Sequence, residues 1–165
     1  MRGTPAALTV GRRIVEAKVR KQIVVLQRFG RRDHADVVRE AVSGMKGLLG
    51  LLPAAGTTEE LMGIEGAAAA AYFPVLGALV PEALAFDHRT RQPPLDLGNS
   101  ALSFLYTVLL GECVTALYAA GMDPAFGVLH ADDEGRPSLA LDLLEEFRPL
   151  VVDQILVETT RAAKL

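Results

Sequence analysis

The sequence contains no tryptophan, few other aromatic residues and a single cysteine among its 165 residues. One cysteine excludes an internal disulfide, and Cys113 lies in an apolar helical run, where a small core residue is more common than a nucleophile. We find no apolar run long enough to span a bilayer, and the first ten residues lack a signal-peptide pattern. These absences predict a soluble, cytosolic protein without a membrane partner.

Half of the chain is hydrophobic, and the dominance of alanine and leucine favours helices. The spacing of apolar residues predicts an all-α fold in one domain, residues 1–165, and no segment alternates as a strand would. The first two predicted helices cover about 8–29, ending at Gly30, and 34–52, ending before Pro53. A third follows the Thr57–Glu60 capping box and is broken or kinked by Pro74, and a short helix covers 81–86. The last three are a helix over 100–120 that Asn99 caps and that ends at Gly121, one that Ser138 caps, and one from Pro149 to about 163.

The net charge is −3, which by itself argues against nucleic-acid binding, but the charges are unevenly distributed. Residues 11–32 carry eight Lys or Arg against one acid, whereas residues 93–165 carry four basic residues against eleven acids. A basic segment joined to an acidic remainder suits a phosphate-binding surface beside a metal-binding one. Alternatively, the basic side chains only coat the solvated face of a long helix.

Polar residues interrupt the apolar pattern at three places. The first is Glu65, between Gly63 and Gly66 and before five alanines. Small residues on this helix would allow another backbone to come close, and a glutamate there would be desolvated unless a positive group meets it. The alternative is a glutamate on the solvated face of the helix.

The second interruption is His130, which precedes an acidic turn and is either a metal ligand or a hydrogen-bonded structural group. The third is the stretch LALDLLEEFRPLVVD (139–153), in which Asp142 and Glu145 share one helix face. These carboxylates could instead lie near the N-terminus of the helix because the helix dipole favours them there, and Arg148 could simply pair with Glu145. Together, an imidazole and two or three carboxylates suit Mn²⁺ or Mg²⁺, although the spacing alone does not specify such a site.

Four runs of the sequence, in this order, resemble the large helical domain of CRISPR-associated protein 1, the endonuclease and integrase of CRISPR adaptation. They are LMGIEGAAAAAYF (61–73), LDLGNSALSFLYTVL (95–109), GMDPAFGVLH (121–130) and GRPSLALDLLEEFRPLVVDQ (135–154). The resemblance extends over about 10–154. It implies a divalent metal, Mn²⁺ or Mg²⁺, held by Glu65, His130 and Glu145. It also implies a nearby or supporting carboxylate at Asp142 and a basic group facing the site at Arg148.

The resemblance further implies phosphoryl transfer on DNA, with a 3′-hydroxyl or water as the attacking group. Basic side chains would hold the DNA backbone with little sequence preference: Arg12, Arg13, Arg89, Arg91 and Arg148. The family acts as homodimers bridged by CRISPR-associated protein 2, so DNA, a second copy and that protein are the expected partners. The implied setting is the prokaryotic cytoplasm.

The chain departs from the family pattern at both ends. The family opens with a β-rich domain that makes much of the homodimer, whereas this sequence begins with helical material and ends soon after the site helix. We therefore expect a helical catalytic domain without the N-terminal β domain or C-terminal tail. Two alternatives stay open: an inactive helical assembly module, and an integrase of a related mobile element.

Overall fold

The computed structural model describes residues 4–130 and 135–163. Within these ranges there is no strand, and the predicted all-α class is confirmed. The α-helices are α1 (Pro5–Phe29), α2 (Ala35–Leu51), α3 (Thr58–Ala78), α4 (Leu97–Ala119), α5 (Ser138–Phe147) and α6 (Gln154–Ala162). Short 3-10 turns cover Leu52–Ala54 and Glu82–Leu84, and a π-helical segment, Arg148–Asp153, joins α5 to α6.

Helix α1 is the centre of the bundle, since it packs against α2, α3, α5 and the π-helical segment. Its buried face carries Val15, Val19 and Leu26, which are at most 1 % exposed. Val15, Lys18, Val19 and Gln22 follow the i, i+3, i+4, i+7 spacing of an inward stripe, and all four are buried. Two polar side chains therefore enter the core from the middle of α1.

Several helix ends differ from the sequence-based expectation. Helix α4 begins at Leu97 with Asp96 as its N-cap, so the prediction that Asn99 caps it was wrong. Asp96 accepts a hydrogen bond from the Asn99 backbone N–H at 2.7 Å, whereas Asn99 is already helical and uses its side chain elsewhere. Ser138 is likewise the first residue of α5 and not its cap, because Pro137 occupies the N-cap position.

Pro74 and Pro149 both lie within helical segments, and Pro74 does not end α3. Helix α3 continues through Pro74 to Ala78, because the side chains around it, Tyr72, Phe73, Val75 and Leu76, are all buried and hold the segment in place. Pro149 is the second residue of the π-helical segment, which continues directly into α6 and ends at Ala162, so the helical stretch expected from Pro149 to about 163 begins one residue earlier. A π turn is wider than an α turn and leaves room for a residue that has no N–H.

Helices α3 and α4 are long and apolar enough, by length and composition alone, to cross a bilayer. The expectation that no apolar run reaches that length was therefore wrong, because Glu65 and Glu112 interrupt these runs without making them polar. Core helices of soluble proteins can be equally long and apolar, so length and composition do not show that α3 or α4 spans a membrane. Helix α3 packs against α1 and α2. Helix α4 exposes several large apolar side chains: Leu97, Phe104, Val108 and Tyr118.

Candidate functional site

One cavity of about 140 Å³ is lined by all three of the predicted metal ligands, Glu65, His130 and Glu145. They come from three different elements: α3, the 121–130 loop and α5. Lys18 of α1 and Arg148 of the π-helical segment line the same cavity. The tertiary structure thus brings together residues as far apart in the chain as Lys18 and Arg148.

Lys18 lies between the two glutamates. Its ammonium pairs with Glu65 Oε1 and lies 2.5 Å from Glu145 Oε2, and the residue is only 4 % exposed. The glutamate of α3 is therefore not the solvated surface group of the alternative interpretation. Gly63 and Gly66, however, have no neighbouring atoms near their missing side chains, so the predicted close backbone approach at this place was wrong.

Glu145 is buried and carries two positive neighbours. Arg148 donates a hydrogen bond to Glu145 Oε1 at 2.6 Å, while Oε2 pairs with the Lys18 ammonium. Burial by itself would raise the pKa of Glu145, but Lys18 and then Arg148 outweigh it, and the net pKa is lowered. The carboxylate is held ionised in a dry site, which is the form that a cation requires.

Asp142 is fully buried and orients His130. Its Oδ1 lies 2.7 Å from His130 Nδ1, and its two oxygens accept hydrogen bonds from the backbone N–H groups of Val128, Leu129 and His130. With four donors on one carboxylate, Asp142 has no free lone pair directed at the cavity. The imidazole is fixed by Nδ1, and its Nε2 is the nitrogen left for a ligand.

The loop that carries His130 is built around glycine. A side chain at Gly127 would lie 2.7 Å from both the His130 carbonyl oxygen and the Ser138 Cβ, so only glycine lets residues 127–130 fold tightly over the start of α5. The same loop reaches α1 at Gly11, where an added Cβ would lie 2.7 Å from Leu129. The acidic turn after His130, residues 131–134, lies outside the described residues.

A second cavity of about 370 Å³ adjoins the first and is strongly basic. Lys18, Arg91, Arg136 and Arg148 line both cavities, and Arg89 joins them in the second. Asp153 is the only carboxylate among the residues lining this cavity. We call it the basic cavity. Four guanidinium groups line one concave space and repel one another. An anionic ligand bound among them would offset this repulsion.

A buried triad that the sequence did not reveal adjoins the basic cavity, which two of its members, Tyr106 and Asp153, line. Asp153 accepts hydrogen bonds from Tyr72 at 2.8 Å and Tyr106 at 2.5 Å. Burial raises the pKa of Asp153 to about 6, although the two tyrosine hydroxyls oppose the rise. Arg148 lies over the ring of Tyr106, 4.7 Å from its centroid, so the triad supports the arginine that contacts Glu145. Asp153 lies at the end of the run 135–154, but nothing in that run indicates that Tyr72 and Tyr106 are its partners.

The predicted DNA-contacting arginines fall into three groups. Arg89 and Arg91 line the basic cavity, and Arg89 is held by hydrogen bonds to Asn99 Oδ1 at 2.8 Å and Ser103 Oγ at 3.1 Å. Arg13 is exposed on α1. Arg12 instead donates to the carbonyl oxygens of Leu52 and Ala55, a structural role that the sequence pattern does not distinguish from a surface one.

The donor set of the smaller cavity fits Mn²⁺ or Mg²⁺. Two carboxylates and one imidazole nitrogen are ligands that these ions accept. Two of these three groups, Glu65 and Glu145, already contact a positive charge, the Lys18 ammonium. As arranged, no three His, Cys, Asp or Glu side chains within residues 4–130 and 135–163 are grouped closely enough to hold an ion. Both glutamates contact the Lys18 ammonium instead.

Fold and site together define a helical domain with a carboxylate and histidine site beside a cavity lined by arginines. Comparison with known proteins makes the class specific. A family profile described as "CRISPR associated protein Cas1" matches residues 2–165. A CRISPR-associated endonuclease Cas1 from Rhodospirillum rubrum is 44 % identical over 153 residues, covering 86 % of this chain and 44 % of the relative. Another, from Thermus thermophilus, is 43 % identical over 150 residues, covering 91 % and 43 %.

Solved structures agree with the sequence comparison. A partial Cas6-RT-Cas1–Cas2 complex matches with a TM-score of 0.89 at 29 % identity, covering 98 % of this chain and 48 % of that one. A casposase bound to integration product matches with a TM-score of 0.83 at 27 % identity, covering 97 % and 44 %. The chain belongs to the Cas1 family. It spans a little under half the length of these relatives.

Proposed function

We propose that this chain is the metal-binding catalytic part of a DNA integrase and endonuclease of CRISPR adaptation, which joins spacer DNA by phosphoryl transfer. The observation that carries the proposal is the convergence of Glu65, His130 and Glu145 on one cavity next to the basic cavity. Family membership supports it, since relatives are named CRISPR-associated endonucleases. The neighbouring structures of Cas1–Cas2 complexes support Cas2 as a partner, and a second copy of this chain is proposed from the family resemblance alone.

Each residue group would have a distinct part in the reaction. Glu65, Glu145 and His130 Nε2 would hold Mn²⁺ or Mg²⁺, which supplies Lewis-acid stabilisation of charge at a scissile phosphate. Asp142 keeps the imidazole oriented through Nδ1. Arg89, Arg91 and Arg148 would bind phosphate oxygens in the basic cavity and hold the DNA strand beside the ligands. Positioning of the two DNA groups, more than proton transfer, is what this arrangement provides.

Calorimetric titration of Mn²⁺ tests the metal site. We expect the wild-type chain to bind about one ion and His130→Ala or Glu145→Gln to lose it, because each removes one ligand of three. Glu146→Gln is the matched control, since Glu146 follows Glu145 in the chain but pairs with Lys21 instead, and it should bind like wild type. Absence of binding by a wild-type sample with a folded circular dichroism spectrum would contradict the proposal.

Cleavage and joining of DNA test the activity itself. A labelled duplex incubated with the chain and Mn²⁺ should be cut or joined by wild type and by Glu146→Gln, and by neither ligand variant. If the chain binds metal but neither cuts nor joins DNA, the result contradicts the proposed activity and supports the alternative of an inactive assembly module. The match to a casposase bound to integration product is the observation that supports the alternative of a mobile-element integrase. The genes next to the coding sequence would distinguish this alternative from a CRISPR role.

A further inference from the structure

Lys18 occupies the place at which the proposed metal would meet its two carboxylates. The ammonium contacts one oxygen of Glu65 and one of Glu145, and 5 % of its side chain is exposed. Metal ions bind carboxylate oxygens at about 2.0–2.6 Å, so an ion and an ammonium cannot both contact these two oxygens. Two positive charges forced to that separation in a buried site would also repel strongly.

Two cations and two carboxylates are in direct contact at this site. Lys18 and Arg148 offset Glu65 and Glu145, and these four side chains are at most 17 % exposed. Adding a divalent ion without moving Lys18 would leave two excess positive charges in a buried cluster, which is costly. Removal of the ammonium from the carboxylates relieves this conflict, and a nearby anion would then balance the remaining charge.

Lys18 has an alternative position within reach. It lines the basic cavity as well as the metal cavity, and its four-carbon stem allows the nitrogen to turn between them. Gln22, one turn further along α1, lines the basic cavity too, and its buried Oε1 has no hydrogen-bond partner in the described residues. An ammonium turned toward this oxygen would therefore find an acceptor on its own helix.

We propose that Lys18 is an internal cation that the divalent metal displaces from Glu65 and Glu145, and that the released ammonium then binds a phosphate of the DNA in the basic cavity. This inference rests on the proposed function and adds a positioning residue to it. The ammonium holds the two carboxylates in place before the metal arrives. Metal binding then adds a positive charge to the anion-binding cavity, so that metal and DNA strengthen each other's binding.

The first test compares the Mn²⁺ affinities of Lys18→Met and wild type by calorimetry. Without its internal competitor, Lys18→Met should bind Mn²⁺ at least about tenfold more tightly. Lys21→Met is the control, because Lys21 lies on the same helix but pairs with Glu146, and its affinity should equal that of wild type. Equal or weaker binding by Lys18→Met, with wild type binding normally and Glu145→Gln not binding, overturns the inference and leaves the proposed function intact.

The second test uses the wild-type protein and covers the case in which Lys18→Met fails to fold. The chain has four lysines, and a buried ammonium gives a separate ¹H–¹⁵N resonance, which Lys18→Arg identifies by its loss. Mg²⁺ should shift this resonance and leave that of Lys21 in place. A DNA duplex should shift it again in the presence of Mg²⁺ and have no effect without it.

The outcomes separate the two proposals. A Lys18 resonance unmoved by Mg²⁺ that demonstrably binds would overturn the displacement of Lys18 alone. A resonance that moves with Mg²⁺ but never with DNA would overturn the phosphate contact. If no protein of the set binds Mn²⁺ or Mg²⁺ while all are folded, the proposed function and this inference fail together.

Discussion

At the scale of single residues, Asp142 has the most constrained side chain of the site. It is fully buried and receives three backbone N–H groups of residues 128–130 together with His130 Nδ1. Such a carboxylate fixes the loop and the ring at once. Its importance comes from the donors that it satisfies, because a buried N–H without an acceptor costs about 1–3 kcal/mol.

Substitution of this residue should affect both stability and metal binding. In Asp142→Asn an amide NH₂ replaces one acceptor oxygen and faces backbone donors, so we expect a loss of about 2–4 kcal/mol in the free energy of unfolding. Mn²⁺ affinity should fall by about 10–100-fold, as for other groups that orient a ligating histidine. Urea unfolding and calorimetry measure the two effects; unchanged Mn²⁺ affinity in the folded variant would disprove the orienting role.

Asp153 predicts a pH dependence of stability. Its pKa is raised to about 6 by burial, above the value near 3.9 of an unfolded chain. The folded state therefore binds the extra proton between these values, and this group makes the protein more stable as pH falls from 7 to 4, by roughly 2–3 kcal/mol. Asp153→Asn should remove that gain.

Urea unfolding of both proteins at pH 7 and pH 4 checks the Asp153 prediction. The stability of wild type relative to Asp153→Asn should increase toward pH 4. Glu145, whose pKa is lowered, changes stability in the opposite sense, but it does so in both proteins and cancels in the comparison. A difference between the two proteins that does not vary with pH would show that Asp153 titrates normally.

At the scale of elements, the connection between α3 and α4 is organised by one buried side chain. Asn99 Oδ1 accepts from Arg89 and from the Thr90 backbone N–H at 2.9 Å, while its Nδ2 donates to the His88 carbonyl oxygen at 2.8 Å and to Asp96. The first turn of α4 therefore holds the segment that presents Arg89 and Arg91 to the basic cavity. A position that sequence reasoning assigned to a cap is in fact a tertiary anchor.

Loss of this anchor should weaken DNA binding as well as the fold. Asn99→Ala leaves several buried polar groups without partners, and we expect it to lower the free energy of unfolding by about 2–3 kcal/mol. It should also weaken binding of a labelled duplex, measured by anisotropy, because Arg89 loses its orientation. Ser100→Ala, at the next and exposed position, is the control. DNA affinity equal to wild type in folded Asn99→Ala would argue against a role of this segment in binding.

At the scale of the whole molecule, a net charge of −3 coexists with a local concentration of positive charge. The basic cavity collects cations from α1, from the α3–α4 connection and from the segment after α5, so no single stretch of sequence contains it. Arginines that are close in the chain can differ in role, as Arg12 shows by donating to the backbone between α2 and α3. Charge counting along the sequence cannot separate these cases.

Arg91 and Arg12 should therefore respond differently to substitution. Arg91→Ala should weaken DNA binding at all sequences and lower the salt dependence by about one phosphate contact, with little change in stability. Arg12→Ala should instead lower the free energy of unfolding by about 1–3 kcal/mol, because two carbonyl oxygens lose a charged donor. Arg39→Ala, at an exposed pair with Asp36, should change neither. Anisotropy over a salt series measures DNA binding, and urea unfolding measures stability. Lower stability of Arg91→Ala together with weaker DNA binding by Arg12→Ala would contradict the roles assigned to these two arginines.

The sequence by itself determined the all-α class, because helix period and alanine and leucine content act locally. It also determined the candidate ligands Glu65, His130 and Glu145, since the runs around them resemble a family; their role as metal ligands stays a prediction. The position of Lys18 on the buried stripe with Val15, Val19 and Gln22 was a usable signal that a charge enters the core.

Only the tertiary structure decided which groups meet. Lys18 pairs with Glu65, 47 positions along the chain, and Asp153 meets Tyr72, 81 positions away; such pairings depend on how helices pack and not on local pattern. The same holds for the continuity of α3 through Pro74, where buried neighbours override a local preference to end the helix. Electrostatics in a buried site is set by distance in space, which the order of residues does not contain.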